Sequence, residues 1–480
     1  MKQVSRSTYT PQQRWSAFAT LAVAVFISIL DLFIVNIALP DIQREWPGAG
    51  LSGLSWVLSA YAIVLAALLV PLGRIGDLVG RKLIFQAGLA VFVLGSALCA
   101  LAPSVELLIG ARVLQGVGAA ALTPTSLSLL LPLFSLRERP AVIGAWAALG
   151  GVGAATGPPL GGVLVQASWR WIFLVNVPLG LITLWRVRRR FAEIRDPDAT
   201  MPDVPGGVLL AAAVGLLTLG LVKGPDWGWD ARVIASFVAA VAAGAVFVAR
   251  SRRHPSPVLD LGLFRSPSFS YAVVSTFAFF AGFAALLIGG VLFLTDVWHY
   301  SVLQAGLGFA PGPVMAAIFA APGGRLTARF GPGPVGAVGG LLFAAGAAWF
   351  VGLPATPDYV GHYLPGMLVG GAGVGLILPT FTSAAVMAVR PERLSTGIAA
   401  ETTFRQIGAA LGIAAWVAIF GTPAAADVLG AFDRGFVFMA ICSLAAGLTL
   451  LMLAIVTRRA RGAPEAAGRR VAALETRGGG

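Results

Sequence analysis

The chain has 480 residues, of which 57% are hydrophobic and 11% are charged, and its mean hydropathy is +0.85. Soluble domains carry about 25% charged residues, so this composition excludes a soluble protein and indicates an integral membrane protein. The net charge of +13 comes from small basic clusters between apolar runs, as in membrane loops. We therefore expect a lipid bilayer and no nucleic acid as its surroundings.

Apolar runs of about 20 residues, the length a helix needs to cross a bilayer, recur throughout the chain. They predict an all-α protein with fourteen transmembrane helices, near 15–39, 54–73, 83–102, 105–130, 140–166, 171–187, 206–223, 231–249, 269–295, 304–322, 334–353, 361–385, 396–420 and 434–457. The first run exceeds the apolar core of about 7–15 residues found in signal peptides, so we expect a retained helix.

The charges between these runs alternate along the chain. Basic residues mark every second loop: Arg74, Arg81, Lys82, Arg137, Arg139, Arg186, Arg188, Arg189, Arg190, Arg195, Arg250, Arg252, Arg253, Arg325, Arg329, Arg390 and Arg393. The other loops carry mostly acids or no charge. By the positive-inside rule we predict a protein of the cytoplasmic (inner) membrane, with residues 1–14 and the tail 458–480 in the cytoplasm. The composition of that tail predicts disorder.

An internal repeat divides the predicted spans. Residues 111–124 and 366–379 share the order of two glycines and a proline, which places Gly116, Gly118 and Pro124 onto Gly371, Gly373 and Pro379. We predict an N-terminal six-helix bundle at 15–190, a C-terminal six-helix bundle at 269–457 and two inserted linker helices at 206–250.

The segment from Gly73 to Lys82 reads G-R-I-G-D-L-V-G-R-K and lies where one apolar run ends and the next begins. Its charges are too costly for lipid, so it is predicted to lie at the cytoplasmic membrane face. The pattern of Gly73, Asp77, Gly80, Arg81 and Lys82 resembles the signature loop of the major facilitator superfamily of transporters. That resemblance implies a gating role for the segment.

Span 1 contains L-D-L-F-I-V-N-I-A-L-P, which is similar to the first-helix motif of fourteen-helix drug:proton antiporters of this superfamily. A carboxylate near the centre of a spanning helix costs about 2.5–3.5 kcal/mol on insertion scales, so Asp31 is a functional candidate. The resemblance implies proton coupling at Asp31. The alternative is a structural hydrogen-bonding role.

Span 4 contains A-R-V-L-Q-G, which resembles the family motif whose intramembrane arginine is tied to proton coupling. Helical rise places Arg112 and Asp31 at similar depths, about 10 Å below the outer boundary, so the two side chains could pair. The alternative is that Arg112 binds only backbone carbonyls. The repeat has Met367 in place of Arg112 and Ala328 in place of Asp77, which concentrates the predicted coupling in the N-terminal half.

Span 5 carries the motif that the resemblance associates with antiport. Its fixed positions form a flat face for close helix contact, and the proline bends the helix. The motif residues are Gly153, Gly157, Pro158, Gly161 and Gly162. The family interpretation is a hinge and seal between the halves, and packing without a mechanistic role is the alternative.

Span 13 places Glu401 and Arg405 four residues apart, in the order that favours a helical ion pair. The pair is predicted to neutralise itself, or Glu401 is a second proton or cation site. Further side chains in the spans are substrate-binding candidates: Asn36, Gln115, Trp146, Phe381 and Phe404. Aromatic rings suit flat, lipophilic, often cationic molecules.

The chain shows neither a nucleophile–base pair nor a phosphate-binding loop, and its cysteines and histidines lack metal-ligand spacing. We expect no enzyme activity, no cofactor and no metal. The resemblance implies a monomeric major facilitator fold that exchanges protons for drugs or lipophilic small molecules and exports them. The alternatives are a dedicated exporter of one metabolite, antibiotic or siderophore, and a non-transporting membrane receptor on the same fold.

Overall fold

The computed structural model describes residues 10–135, 138–195, 201–387, 389 and 394–475, and the regular structure in these ranges is helical. The helices are α1 Pro11–Glu45, α2 Gly50–Val79, α3 Arg81–Leu101, α4 Val105–Leu130, α5 Arg139–Val165, α6 Trp171–Leu174, α7 Asn176–Arg190, α8 Val204–Lys223, α9 Ala231–Ser251, α10 Pro267–Leu292, α11 Val302–Phe309, α12 Pro311–Phe330, α13 Pro332–Trp349, α14 Leu364–Met387, α15 Leu394–Phe420 and α16 Val428–Glu475. Short 3₁₀ turns lie at Pro47–Ala49, Leu131–Leu133, Leu261–Arg265 and Ala425–Asp427, and π turns at Phe293–Val297 and Tyr359–Tyr363.

The predicted spans correspond to helices of the structure. Thirteen helical segments within the described residues are long and apolar enough to cross a membrane, and each coincides with a predicted span. The remaining predicted span, 140–166, falls on the 27-residue helix α5. The protein is therefore an all-α, multi-pass membrane protein. Arg137, Arg390 and Arg393, three of the predicted loop cations, lie outside the described residues.

Two spans predicted as single helices are interrupted. Span 171–187 is divided into α6 and α7 around Val175, where the missing N–H of Pro178 leaves the carbonyl of Leu174 without its helical donor. Span 304–322 is divided into α11 and α12 at Ala310, directly before Pro311, whose missing N–H interrupts the helical hydrogen bonds although Ala310 itself keeps helical angles (φ −59°, ψ −35°).

The last helix does not end at the predicted boundary. We predicted the last span to end at 457, with a disordered tail beyond it, whereas α16 continues to Glu475. The alanines, arginines and glutamates beyond 457 have high helix propensity, whereas Gly462, Pro464 and Gly468 do not.

The repeat detected in the sequence occupies equivalent packing positions. A Cβ on Gly118 would lie 2.6 Å from the carbonyl oxygen of Gly88 in α3, and one on Gly373 would lie 2.6 Å from that of Gly339 in α13. The turns after α2 and α12 are also alike, because Gly80 and Gly331 both adopt positive φ, 140° and 86°. Only glycine takes up such angles without strain. Both halves thus pack their third and fourth spans through glycine contacts.

The inserted hairpin of α8 and α9 packs against both halves of the chain. Helix α8 contacts both α2 and α15. One buried apolar cluster contains residues of α2, α8, α9 and α15. A Cβ on Gly207 of α8 would lie 2.9 Å from the carbonyl oxygen of Ala67 in α2, so this contact is close. The division into two bundles and a linker hairpin remains our prediction.

Candidate functional site

A fully buried ion pair lies among the first four helices. The side chains of Asp31 in α1 and Arg112 in α4 are both 0% exposed, and Arg112 Nη1 donates to Asp31 Oδ2. Arg112 Nε also donates to the carbonyl oxygen of Val57 in α2, at 3.0 Å. The contact between the two side chains, predicted from their depth, is therefore present, and the backbone contact proposed as the alternative accompanies it.

Three uncharged side chains complete what we call the Asp31 cluster, which consists of Asp31, Ser96, Arg112, Gln115 and Asn176. Gln115 Nε2 donates to Asp31 Oδ1 at 2.8 Å and to Ser96 Oγ at 2.7 Å. Asn176 Nδ2 lies 3.4 Å from Asp31 Oδ1 and 3.3 Å from Ser96 Oγ. Asp31 thus accepts hydrogen bonds from a guanidinium and from two amides.

Sequence reasoning missed Ser96 and Asn176 and gave Gln115 a different role. Gln115 was predicted to bind substrate, but it is fully buried and its amide bonds Asp31, Arg112 and Ser96. A polar residue alone in an apolar run, as Asn176 is in I-F-L-V-N-V-P, was the available signal. The depth of Ser96 relative to Asp31 depends on how α3 packs, so no comparable signal was available for Ser96.

Aromatic rings and glycines enclose the Asp31 cluster. The guanidinium carbon of Arg112 lies 4.4 Å from the ring centroid of Tyr61 and 5.9 Å from that of Phe173. A Cβ on Gly95 would lie 2.8 Å from the backbone nitrogen of Gln115, so only glycine allows α3 to approach this closely. Arg112 Nη2 and Asn176 Oδ1 are buried without a hydrogen-bond partner in this structure.

The glycines of the antiporter motif bring α5 against two helices. Cβ atoms on Gly153 and Gly157 would lie 2.7 Å from Ile29 Cγ2 and 2.6 Å from Phe33 Cβ, both in α1, and Gly161 contacts the same helix at Ile34. On another face, Gly162 approaches the backbone of Leu303 in α11, and the carbonyl oxygen of Pro158 lies close to Gly306. The motif therefore lies between the helix that carries Asp31 and a helix of the C-terminal half.

We expected the segment Gly73–Lys82 to be a loop between two spans, but in the structure it is almost entirely helical. Residues up to Val79 belong to α2, α3 begins at Arg81, and only Gly80 separates the two helices. Arg81 Nε donates to Asp77 Oδ1 at 2.8 Å, and Arg81 Nη1 donates to the carbonyl oxygen of Ser128 at the end of α4. The motif is thus a tight junction that ties the ends of three helices together.

The residues after α7 cap this junction, and sequence reasoning did not identify them. The carboxylate of Glu193 accepts from the backbone nitrogens of Lys82 and Leu83, at 2.8 and 3.1 Å, at the start of α3. In return, Lys82 Nζ donates to the carbonyl oxygens of Arg188 and Phe191 at the end of α7. A Cβ on Gly80 would lie 2.5 Å from Glu193 Cδ, which is a second reason for glycine at this position.

A second intramembrane ion pair lies on α15. Glu401 is 0% exposed, and both of its carboxylate oxygens accept from Arg405 Nη2, at 2.9 and 3.0 Å. The Arg405 side chain is 33% exposed, and its guanidinium carbon lies 5.2 Å from the ring centroid of Phe280 in α10. The predicted contact is present, and it leaves Arg405 as the partly accessible member of the pair.

The predicted substrate-binding residues differ in how far they are buried. Asn36 is buried, and its Nδ2 donates to the carbonyl oxygen of Leu32 in its own helix. Phe381 is buried among aromatic rings of the C-terminal half, including Phe279. Trp146 and Phe404 are half-buried, on α5 and α15 respectively. Trp146 and Phe404 therefore retain surface that a ligand could reach, whereas Asn36 and Phe381 are buried and have little.

Comparison with known proteins gives a consistent result. The family model of the Major Facilitator Superfamily matches residues 21–413. The chain is 34% identical over 396 residues to "Multidrug resistance protein Stp" of Mycobacterium tuberculosis (82% of this chain, 73% of the relative). It is 33% identical over 451 residues to "Methylenomycin A resistance protein" of Streptomyces coelicolor (93% and 92%). A solved POT family transporter in complex with a thioalcohol-conjugated peptide has a TM-score of 0.67 at 14% identity (91% and 96%), which shows a shared fold.

Replacing Asp31 by Asn should destabilise the protein, because Arg112 would remain as an uncompensated buried charge. Breaking a buried pair in this way costs about 3–5 kcal/mol. The double variant Asp31→Asn/Arg112→Gln should recover part of the loss, since neither charge remains. Thermal unfolding in detergent measures both effects. Asp230→Asn, which removes an exposed carboxylate, is the control. A double variant as unstable as Asp31→Asn would contradict this account.

Gly157→Val should separate α5 from α1 and reduce transport, because the added side chain would overlap Phe33. Overpacking of this kind costs about 1–3 kcal/mol. Gly150→Val on the same helix is the matched control, since a Cβ there meets no atom within 4 Å. Both variants are compared by thermal unfolding and by substrate efflux normalised to protein level. Equal effects of the two substitutions would show that helix propensity, and not the contact, is responsible.

Proposed function

Because the chain belongs to the major facilitator superfamily, we propose that it is a proton-coupled antiporter that exports lipophilic, drug-like small molecules. In this proposal it lies in the cytoplasmic membrane with both termini in the cytoplasm. Relatives named for multidrug resistance and for methylenomycin A resistance support export of toxic compounds. The basic clusters at alternate helix ends support the orientation.

The Asp31 cluster is the observation that supports proton coupling most strongly. A carboxylate that is 0% exposed can hold a negative charge only while positive and polar partners compensate for it. Proton binding would neutralise Asp31 and release Arg112 Nη1 for another acceptor. The cluster therefore has two charge distributions, which a transporter can use to favour one of its two conformations.

Helix α1 offers a path from this charge change to the interface between the halves. It carries Asp31 on one face and contacts Gly157 of α5 on another, while α5 in turn contacts Leu303 of α11. The ring of Phe33 also contacts that of Phe283 in α10, with centroids 6.2 Å apart. A shift of α1 after proton binding would act directly on contacts that must open and close during alternating access.

We place the substrate between the halves, near α1, α5, α10 and α15. Phe33, Phe283, Phe404 and Trp146 lie on these helices and are each partly accessible. Aromatic faces attract lipophilic and cationic molecules. Glu401, paired with the accessible Arg405, is the second proton or cation site in this proposal.

An exporter dedicated to one antibiotic is the second candidate function. The relative named for methylenomycin A resistance covers 93% of this chain and supports this possibility. A susceptibility panel of structurally unrelated antibiotics, dyes and biocides on cells expressing the protein separates the two functions. Resistance to several classes supports multidrug export, whereas resistance to a single compound supports the dedicated exporter. A non-transporting receptor is disfavoured, because it has no need of the buried Asp31–Arg112 pair.

Efflux should depend on the proton gradient. A protonophore added to ATP-replete cells should abolish dye efflux, because in this mechanism the inward flow of protons drives export. In purified protein, substrate binding should release protons, and Asp31→Asn should remove that release.

Asp230→Asn is the control for charge removal, since its carboxylate is exposed, its ion pair with Arg232 lies at the surface, and asparagine can keep the N-cap of α9. Efflux that persists after the protonophore would contradict antiport. Wild-type proton release from Asp31→Asn would exclude Asp31 as the carrier and make Glu401 the next candidate, tested by Glu401→Gln.

Asp77→Asn should impair transport without preventing membrane insertion. Asp77 orients Arg81, which in turn holds the end of α4, so its loss loosens a junction that must reform in every cycle. The side chain is 27% exposed, and insertion should therefore depend little on its charge. Transport is measured relative to the amount of protein in the membrane, with Asp226→Asn as a matched control. A wild-type rate for Asp77→Asn would restrict the motif to a topological role.

A further inference from the structure

A groove with one basic and one apolar part opens at one end of the inserted hairpin. It lies where α8 begins and α9 ends, and its volume is about 440 Å³. Its lining consists of Pro205, Leu209, Val246, Ala249, Arg250, Arg253, His254 and Pro255. Nothing in the transport mechanism above uses this groove.

The basic part of the groove is held in place by a buried acid. Asp203 is 0% exposed, and its Oδ1 accepts from Arg250 Nε at 2.5 Å and from the backbone nitrogen of Gly206 at 2.9 Å. This contact uses one nitrogen of Arg250 and leaves its side chain 39% exposed. Asp203 balances one positive charge, so the charge of Arg253 remains in excess at the groove.

The histidine in the lining is oriented as a donor. His254 Nδ1 accepts from the backbone nitrogen of Ser256 at 3.1 Å. A neutral ring that accepts at Nδ1 carries its proton on Nε2, so that atom can donate to an anion. Arg250, Arg253 and His254 thus present several hydrogen-bond donors at one helix end. Phosphate oxygens are suitable acceptors for such a set.

The apolar part of the groove continues onto the outer surface of α9. Val246 lines the groove and is 53% exposed, while Val238 and Val241, further along the helix, are 63% and 73% exposed. Apolar side chains this exposed on a membrane-spanning helix face lipid chains. A ligand in the groove would therefore meet charged donors at one end and hydrocarbon at the other.

We propose that this groove binds an anionic phospholipid of the cytoplasmic leaflet. Its phosphate lies against Arg253 and His254, and an acyl chain lies along Leu209 and Val246. The assignment to that leaflet rests on the proposed orientation of the protein. Free phosphate would leave the apolar half of the lining unused, and a zwitterionic lipid would leave the excess charge of Arg253 unbalanced. Basic pockets between helices near the cytoplasmic face are suited to anionic headgroups.

The position of the hairpin gives such a lipid an influence on transport. Helix α8 contacts both α2 and α15, which belong to different predicted bundles. A lipid that holds α8 and α9 together at this end would stabilise their packing against both helices. We therefore expect anionic lipid to raise the thermal stability of the protein and to change its transport rate.

The test compares Arg253→Gln with Arg252→Gln in the purified full-length protein. Both arginines are exposed neighbours, but only Arg253 lines the groove. The stabilisation by phosphatidylglycerol over phosphatidylcholine is measured by thermal unfolding in mixed micelles, together with lipid retention by native mass spectrometry. Loss of one arginine near a lipid surface should weaken binding about fivefold. Arg253→Gln should show this loss and Arg252→Gln should not.

Ala249→Trp is a second variant that does not remove charge. Ala249 is exposed, so a tryptophan there should fill the groove without disturbing the core, and lipid retention should fall. Inorganic phosphate at matched concentration should not replace the lipid. Equal losses from Arg252→Gln and Arg253→Gln, stabilisation by phosphate alone, or no preference for phosphatidylglycerol would each overturn the proposal. Because binding is measured without transport, these outcomes are independent of whether the protein is an antiporter.

Discussion

The ion pair between Asp31 and Arg112 imposes the strongest physical constraint on this protein. Removing two charges from water costs several kcal/mol per ion, and their attraction compensates only when further hydrogen bonds satisfy the remaining polar atoms. Gln115 of α4 and Asn176 of α7 donate such bonds to Asp31, and Ser96 of α3 accepts from both amides. The positions of α3, α4 and α7 relative to α1 are therefore linked to the charge state of one carboxylate.

Glycines make this arrangement possible. The close approach of α3 at Gly95 brings Ser96 within reach of Gln115, and the approach of α5 at Gly157 packs that helix against α1. Without a hydrophobic driving force between helices in lipid, such close backbone contacts supply much of the packing energy. The same glycine faces allow helices to shift by small amounts, because few side chains interdigitate across them.

The two halves share a packing plan but not a distribution of charge. Gly373 repeats the contact of Gly118, whereas buried Met367 replaces Arg112 and exposed Ala328 replaces Asp77. The C-terminal half instead carries Glu401 and Arg405 within a single helix, α15. Among the described residues, the buried ion pair that joins two helices, Asp31 with Arg112, lies in the N-terminal half. The inserted hairpin contributes a third charged region, at Asp203 and Arg250.

The sequence by itself determined the membrane class, the positions of the spans and the candidates Asp31 and Arg112, because hydropathy and the cost of intramembrane charge depend on local composition. It could not identify Asn176 and Ser96 as members of the Asp31 cluster, or Glu193 as a partner of the α2–α3 junction. Contacts across a bundle depend on how each helix is rotated and how closely it approaches its neighbours, and local composition does not specify either. For the same reason, only the tertiary structure shows that Phe381 is buried and that the segment Gly73–Lys82 bonds the end of α7. Local hydropathy sets which residues enter the membrane, and packing decides which of them meet.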